Sequence, residues 1–212
     1  MTASNPLLKT PRFRLGLATA LGAMIVLTGC NLTPPPAGGA AAAPQRLREG
    51  YALMNQAAKA DRNGRTDDAV RLYREALSVA PELSGAWNNL GILYMNAEER
   101  PAAAECFRRA ADLSPSDPRP LANLGLLYEN ARFGEDSVRY YAEALERDPN
   151  YLEALRGGVK AAARLGRRDA RTLEWTERAL LIEKDPVWLE IFQRERISIR
   201  AELQKRPGSP IT

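Results

Sequence analysis

Apolar side chains recur at intervals of three and four residues from about residue 50 to residue 203, with short polar stretches between them. This spacing places apolar side chains on one face of a helix. Residues 85–115 contain two such stretches, and their apolar positions are Trp87, Leu90, Tyr94, Ala103, Phe107 and Ala110. The pattern predicts an all-α protein built from pairs of helices.

The same arrangement recurs once before this block, ending at Pro81, and once after it, ending at Pro149. These prolines and Pro115 close the three blocks, because proline stops the second helix before the next pair begins. Small residues such as Gly91 and Gly125 allow the two helices of a pair to lie close together. One pair cannot bury its apolar face alone, so the pairs are predicted to stack into a superhelix.

This spacing resembles the tetratricopeptide repeat at positions Trp87, Leu90, Gly91, Tyr94, Ala103, Phe107, Ala110 and Pro115. The resemblance implies a tetratricopeptide-type α-solenoid of stacked antiparallel helix pairs with a C-terminal capping helix. We place this domain at residues 45–206 and a flexible tail at 207–212. The predicted elements of the domain are repeats at about 50–83, 84–117 and 118–151, a degenerate repeat at 152–185 and the capping helix at 186–205.

The fourth repeat departs from the pattern in its second helix. Arg171 and Arg178 stand where small residues belong, while Ala170 and Ala179 each lie one place away. This offset predicts that the second helix of the repeat has shifted its register.

The capping helix is predicted from its start signal and its apolar face. Asp185 is a typical N-cap residue, and Pro186 suits the first helical turn. Four apolar residues then share one face of the helix, namely Trp188, Phe192, Ile199 and Leu203.

The N-terminal residues have the layout of a secretory signal peptide. Lys9, Arg12 and Arg14 precede a short apolar run, Leu15–Leu27. A membrane-spanning helix needs about 20 apolar residues, so this run is short for that purpose. The alternative, an uncleaved transmembrane helix, is less consistent with its length.

The sequence LTGC that follows, residues 27–30, resembles the bacterial lipobox. The resemblance implies that residues 1–29 are removed and that Cys30 carries acyl chains such as palmitate. Asn31 is not the aspartate that favours inner-membrane retention, so an outer-membrane, periplasm-facing location is expected. Residues 30–44, rich in Pro, Ala and Gly, are predicted to form an extended tether.

Charge and residue usage exclude several functions. Residues 1–29 hold three basic residues and no acidic one, so the remaining chain is nearly neutral and gives no support to a nucleic-acid partner. Histidine is absent, which removes the commonest general base and zinc ligand. The acidic pairs 67–68, 98–99 and 135–136 lie near the start of predicted second helices, where the helix dipole favours negative charge. We therefore expect no catalytic residues, cofactor or metal, and a buried, unpaired Cys106.

In the tetratricopeptide family, the first helices line a concave surface that binds peptides. A ladder of amides, one from each of the first three repeats, is predicted there, formed by Asn55, Asn89 and Asn123, with further amides at Asn88, Asn96 and Asn130. The alternative is that these side chains cap helices or contact solvent. The family's carboxylate clamp is not expected, because Met54 and Ala58 replace basic and amide residues.

The fourth repeat carries a cationic stripe of Arg156, Lys160 and Arg164 at intervals of four residues. Such a stripe could bind a carboxylate or an acidic segment of a partner, or could simply face solvent. The neighbouring arginines at 167, 168 and 171 could instead face anionic lipid.

Fold and anchor together predict a lipid-anchored periplasmic scaffold whose partners are envelope proteins or peptide segments, acidic ones among them. By resemblance to other lipoproteins with these repeats, assembly of a pilus or secretion machine is the first hypothesis. An adaptor for peptidoglycan hydrolases or for outer-membrane assembly is the alternative, and an envelope enzyme is the rival class. The oligomeric state stays open.

Overall fold

A computed structural model describes residues 38–205, which form nine α-helices and no strand within that range. The all-α, tetratricopeptide-type fold predicted from the sequence is confirmed. The helices are α1 Gly38–Arg62, α2 Thr66–Val79, α3 Ser84–Asn96, α4 Arg100–Leu113, α5 Arg119–Asn130, α6 Gly134–Arg147, α7 Leu152–Arg164, α8 Ala170–Ile182 and α9 Pro186–Gln204. The predicted signal peptide, Cys30 and the tail 207–212 lie outside the described residues.

The helices pack as consecutive pairs, with the most extensive contacts between α1 and α2, α3 and α4, and α5 and α6. Neighbouring pairs also touch through their first helices, since α3 contacts α5 and α5 contacts α7. The second helices of neighbouring pairs lie farther apart. This asymmetry curves the solenoid, with the first helices on the concave side.

The predicted tether is partly wrong, because α1 begins at Gly38 and includes Pro44. Residues 38–44 are therefore helical rather than extended. The run of alanines explains the difference, since alanine has the highest helix propensity. Of the helices described, α1 is the longest, at 25 residues.

One residue in each repeat has a left-handed backbone conformation with positive φ, and it lies at the same place in the turn between the two helices of the pair. Gly64 and Gly166 occupy it in the first and fourth pairs, with φ values of 73° and 67°. Glu98 and Arg132 occupy it in the second and third, with φ values of 59° and 64°. Glycine adopts this conformation at little cost, whereas other residues pay a steric penalty of about 1–2 kcal/mol.

One large aromatic residue from each second helix fills the core beneath the first helices. These residues are Tyr73, Phe107, Tyr141 and Trp175, again at equivalent places in the repeats, and each is at most 6% exposed. Small residues make room for them: a Cβ atom on Gly91 would lie 2.7 Å from the Phe107 ring. The periodic core is thus the physical basis of the periodic sequence.

In the fourth pair the two places of small buried residues are displaced by one residue, as the sequence predicted, whereas Trp175 keeps the place of the core aromatic. Ala179 is fully buried, as the shift requires, whereas Ala170 is exposed. Thr172 takes the buried place instead, one residue after Arg171. The shift is fixed by Asp169, whose side chain caps α8 by accepting a hydrogen bond from the Thr172 backbone N–H at 2.8 Å.

The last helix, α9, covers the end of the solenoid. The Asp185 side chain accepts a hydrogen bond from the Val187 N–H at 2.8 Å, so Asp185 is the N-cap. Phe192 and Ile199 are buried, and Trp188 packs against the core. Between residues 38 and 205, none of the helices is both long and apolar enough to span a bilayer.

Candidate functional site: the concave groove

The Asn89 amide on the concave surface contacts a core aromatic from the preceding pair. Its Nδ2 donates a hydrogen bond to the Tyr73 hydroxyl at 3.2 Å. Tyr73 extends from α2 beneath α3, and burial raises the pKa of its phenol. Asn89 therefore satisfies a buried hydroxyl, and only part of its hydrogen-bonding capacity faces the groove.

The second and third pairs are joined across the groove by two amides. Asn123 Nδ2 donates to Asn88 Oδ1 at 2.9 Å, and Asn88 is itself buried. Asn88 Nδ2 in turn lies 3.4 Å from Asn89 Oδ1. The amides thus form a connected chain with Tyr73, so the ladder is not a row of independent ligand-binding groups.

The other predicted amides lie apart from this chain. Asn55 is exposed on α1, while Asn96 and Asn130 are the exposed final residues of α3 and α5. Asn130 lines a cavity of ≈ 490 Å³ at the edge of the groove, together with Arg132 and Arg164. The six predicted amides therefore divide into three that bond to one another and three that face solvent.

Tyr141 passes between the third and fourth pairs and reaches the groove. Its ring lies against Gly125 and Gly157, where an added Cβ on Gly157 would lie 2.2 Å from Tyr141 Cζ. The hydroxyl then donates to Glu129 Oε2 at 3.3 Å. Burial and the negative charge of Glu129 raise the pKa of this phenol above its ordinary value, so it stays a donor.

Glu129 is the centre of an ionic cluster on the floor of the groove. Its side chain is only 7% exposed, and its Oε1 lies 3.1 Å from Lys160 Nζ and 2.6 Å from Arg164 Nη1. Lys160 and Arg164 keep 45% and 60% of their side-chain surface exposed. The predicted stripe is therefore anchored rather than free, and two cations share one carboxylate.

Arg156, the first residue of the stripe, has a structural partner. Its Nε and Nη2 donate to the two oxygens of Glu183, each at 2.7 Å, and the guanidinium lies 5.2 Å from the Trp188 ring centroid. Glu183 also accepts hydrogen bonds from the Lys184 and Asp185 N–H groups at 2.9 Å. Arg156 thus joins α7 to the turn before α9, and its charge is neutralised internally.

These contacts hold the Glu183 carboxylate in its charged form. The Arg156 guanidinium, with the two backbone N–H groups, lowers the pKa of Glu183 to about 2 against the opposing effect of burial. Helical spacing on α7 does not reveal this partner, which lies 27 residues away along the chain. The role predicted for Arg156 in peptide binding stays a prediction.

A small cavity of ≈ 250 Å³ opens on this part of the groove. Leu126, Tyr151 and Trp188 form its apolar wall. Glu153 and Lys160, both on α7, also line the cavity. Leu126 is 37% exposed, which leaves apolar surface facing the groove. The cavity is also lined by Asn123 and by charges of both signs, namely Glu129, Glu153, Arg156 and Lys160. This part of the groove therefore combines an apolar contact, an amide and paired charges.

The remaining chemical candidates have structural roles. Asp67, Asp68, Glu135 and Asp136 lie in the first turns of α2 and α6. Within residues 38–205, no group of three or more Cys, Asp or Glu side chains is placed to hold a metal ion. Cys106 is a free, buried thiol, and burial with the nearby Glu105 charge raises its pKa to about 11. Such a thiol is a poor nucleophile at neutral pH.

Sequence reasoning missed Glu129, Glu183, Gly157 and Trp188 as parts of the site. A usable signal was present, because residues one repeat plus one position apart meet across the groove. Asn88 and Asn123 differ by 35 positions, and so do Glu129 and Arg164. A search at this offset pairs Arg164 with Glu129 from the sequence alone. Glu183 lies in an irregular turn and follows no such rule.

Comparison with known families agrees with this architecture. A model of the tetratricopeptide repeat family matches residues 54–118, which span the end of the first pair's first helix to the start of the third pair. These residues carry the family's sequence pattern, and the helix pairs that follow share its fold. No curated protein matches the chain in sequence.

Solved structures of similar fold include pilF of Pseudomonas aeruginosa. It is 20% identical, with a TM-score of 0.61 over 78% of this chain and 79% of that one. The MamA protein is 15% identical, with a TM-score of 0.58 over 77% of this chain and 98% of that one. The first TPR of Spaghetti, solved with the HSP90 peptide SRMEEVD, is 20% identical, with a TM-score of 0.53 over 56% and 94%. At these identities the likeness is one of fold.

Proposed function

We propose that the protein is a lipid-anchored periplasmic scaffold that binds segments of other envelope proteins in its concave groove. The observation that carries the proposal is the groove itself. It joins exposed apolar surface at Leu126 to amides and to a cluster of two cations around one buried carboxylate. Curved solenoids use such extended concave surfaces for binding.

The anchor is proposed from the sequence of residues 1–30. The basic start, the short apolar run and LTGC together favour a lipobox, with acylation at Cys30 and an outer-membrane location. Several acyl chains on one residue give a stable membrane anchor, because each buried methylene contributes about 0.8 kcal/mol. The scaffold then works close to a membrane surface.

Assembly of a pilus or secretion machine is the role we propose within the envelope. The shared fold with pilF is consistent with that role but does not identify a partner. The first TPR of Spaghetti was solved bound to the HSP90 peptide SRMEEVD, which supports peptide binding as a use of this fold. An adaptor role for peptidoglycan hydrolases or for outer-membrane assembly is the alternative.

Replacement of Cys30 tests the anchor. In the variant Cys30→Ser, we expect the protein to move from the membrane fraction to the soluble periplasmic fraction, whereas Cys106→Ser should leave it at the membrane. Metabolic labelling with a palmitate analogue should be lost only in Cys30→Ser. Unchanged membrane integration of Cys30→Ser would contradict the proposal.

Photo-crosslinking tests the groove. A photoreactive amino acid at position 126, where Leu126 faces the groove, should capture envelope proteins in intact cells. The matched control is position 109, where Arg109 is exposed on α4, away from the groove. Capture of pilus or secretion components supports the first role, and capture of a hydrolase supports the alternative. Identical capture from both positions would contradict groove binding.

A further inference from the structure

We propose that the outer face of α9 forms a symmetric dimer interface with the same face of a second copy of this chain. The inference goes beyond the proposed function and does not depend on it. The inner face of α9 covers the end of the solenoid with Phe192 and Ile199. The outer face of such a terminal helix is expected to be polar, because it is left to water.

The outer face of α9 is not polar throughout. Val187 and Ile197 are 65% and 68% exposed. They belong to a stripe of exposed residues at alternating intervals of three and four, namely Val187, Glu190, Arg194, Ile197, Ala201 and Gln204. Residues with this spacing lie along one side of a helix and form the contact line when two helices pack together. The stripe therefore has the spacing needed to pack along a second helix.

The stripe is complementary to itself when two copies run antiparallel. With a two-fold axis at the level of residue 192, Val187 faces Ile197 of the second copy, and Glu190 faces Arg194 of the second copy. A contact of this kind uses the same patch on both chains, so it closes as a dimer. A parallel arrangement would place Glu190 against Glu190 and Arg194 against Arg194, and like charges disfavour it.

The two charges at the centre of the stripe are available to a second chain. Glu190 and Arg194 are both exposed, and they lie four residues apart. Acid–base pairs at the same spacing form ion pairs on other helices, namely Arg71–Glu75, Glu105–Arg109, Arg139–Glu143 and Glu174–Arg178. Glu190 and Arg194 form no ion pair with each other or with any other residue from 38 to 205.

The surroundings of the stripe permit this contact. Ile191 and Gln193 border the stripe on its two sides, and in the two-fold arrangement each meets its own copy without a charge. The charged residues beyond them are bonded or balanced within one chain, namely Arg200 with Glu177, Arg168 with Ser198, and Lys184 beside Asp185. The other charged residues between 195 and 202, namely Glu195, Arg196 and Glu202, are half-buried.

The size of the stripe sets the expected strength of the dimer. From residue 187 to residue 201 it is about 21 Å long, at about 1.5 Å per residue. Leu181 adds apolar surface beside it, since it is 84% exposed and lies one turn beyond Glu177, which contacts α9. One helix pair of this length buries less than the about 1,200–2,000 Å² of stable complexes, so we expect a weak, reversible dimer.

Sedimentation velocity of the purified full chain tests the dimer, with Cys30→Ser to exclude acylation. The sedimentation coefficient should rise from the monomer value toward the dimer value between about 10 μM and about 1 mM. Glu190→Arg and Arg194→Glu should each weaken self-association at least about tenfold, because like charges then face each other. An equimolar mixture of the two variants should recover it, because every introduced charge meets its opposite in the other chain.

The matched control reverses an exposed pair at the same spacing on α4. Glu105→Arg and Arg109→Glu, alone or mixed, should leave association unchanged. Recovery in the mixture of α9 variants also shows that both of those variants are folded. Thermal unfolding of each variant within a few degrees of the parent checks this independently.

Disulfide formation tests the register. A mixture of the Val187→Cys and Ile197→Cys chains, each also carrying Cys30→Ser, should form the mixed disulfide. Disulfides between identical chains should be rare, since identical positions then lie about 15 Å apart along the helix axis.

Four results would each overturn the inference. They are a chain that stays monomeric up to about 1 mM, single variants that associate like the parent, a mixture that does not recover association, and disulfides that join identical positions. Crosslinking from position 126 tests the proposed function separately. Groove binding can therefore persist if the dimer fails, and the dimer can persist if groove binding fails.

Discussion

The two ends of the concave groove have different chemistry on the same repeated framework. The end formed by α1 and α3, which we call the amide end, is organised by neutral hydrogen bonds among Asn88, Asn89 and Tyr73. The end formed by α5, α7 and α9, the ionic end, is organised by two buried carboxylates, Glu129 and Glu183. Neutral contacts respond little to pH and salt, whereas the ionic end should respond to both.

One repeat position, occupied by Asn89 in the second pair and Gly157 in the fourth, explains why the two ends of the groove differ in chemistry. Tyr73 and Tyr141 occupy equivalent places in the first and third pairs, and each reaches the first helix of the next pair. At the amide end, Tyr73 meets Asn89 and its hydroxyl is satisfied there. At the ionic end, Tyr141 meets Gly157, which offers no side chain, so the hydroxyl continues to Glu129. One change from an amide to glycine thus opens a path from the core to the groove.

The largest effect is expected from breaking the Arg156–Glu183 pair. Arg156→Ala should lower the free energy of unfolding by about 3 kcal/mol, because it leaves a buried carboxylate without its partner. Urea denaturation followed by circular dichroism measures this. The matched control is Arg178→Ala, which removes an exposed pair with Glu174 and should cost less than about 1 kcal/mol. Equal losses in the two variants would contradict the structural role of Arg156.

The Arg156–Glu183 pair should also make the free energy of unfolding depend on pH at acidic pH. The folded-state pKa of Glu183 is lowered from 4.5 to about 2, so the ionised form stabilises the fold fully above pH 4.5. This contribution is lost as the pH falls from about 4.5 toward 2. The stability difference between the parent and Glu183→Gln should therefore shrink over that interval. A difference that stays constant from pH 6 to pH 2.5 would argue against the ion pair.

A smaller loss is expected from filling the path that Tyr141 takes. Gly157→Ala places a methyl group 2.2 Å from Tyr141 Cζ, so the side chain or α7 must move. We expect the free energy of unfolding to fall by about 2 kcal/mol, as in other overpacked cores. The double variant with Tyr141→Leu should recover part of the loss. Gly85→Ala is the control, since its nearest neighbour, Met54 Sδ, lies at 3.6 Å.

The smallest effect is expected at the amide end. Asn89→Ala leaves the Tyr73 hydroxyl without its donor and should cost about 1 kcal/mol, while Asn55→Ala, at an exposed position, should be neutral within about 0.5 kcal/mol. Neither loss should change between pH 4.5 and pH 2.5. A pH-dependent loss in Asn89→Ala would show that the two ends are not chemically separate.

The sequence predicts the periodic features of the molecule well. Spacing of the apolar residues identifies the helix pairs and the capping helix, because each core position depends on contacts that repeat from one pair to the next. The register shift in α8 was also detectable, although periodicity could not show that Thr172 rather than Ala170 is buried. Local start signals such as Asp185 were reliable because a cap acts within one helical turn.

What the sequence did not predict depends on contacts between elements that follow no period. The partner of Arg156 lies in an irregular turn, so helical spacing on α7 did not distinguish Arg156 from Lys160 and Arg164. The amide ladder likewise looked uniform, yet Asn89 contacts Tyr73 and Asn123 contacts Asn88. The helical start at Gly38 was not predicted, because the prolines and glycines of residues 34–39 disfavour a helix while the alanines that follow favour one.

Tyr141 has a mechanical consequence for the solenoid. The Tyr141 side chain extends from α6 and packs between Gly125 of α5 and Gly157 of α7. It therefore resists sliding of the third pair against the fourth. When a solenoid is stretched or twisted, successive helix pairs slide past each other. Here that sliding would press the Tyr141 ring against the backbones of α5 and α7. We therefore expect the last two pairs to move as one stiff block, with most of the elastic bending at the junctions nearer α1.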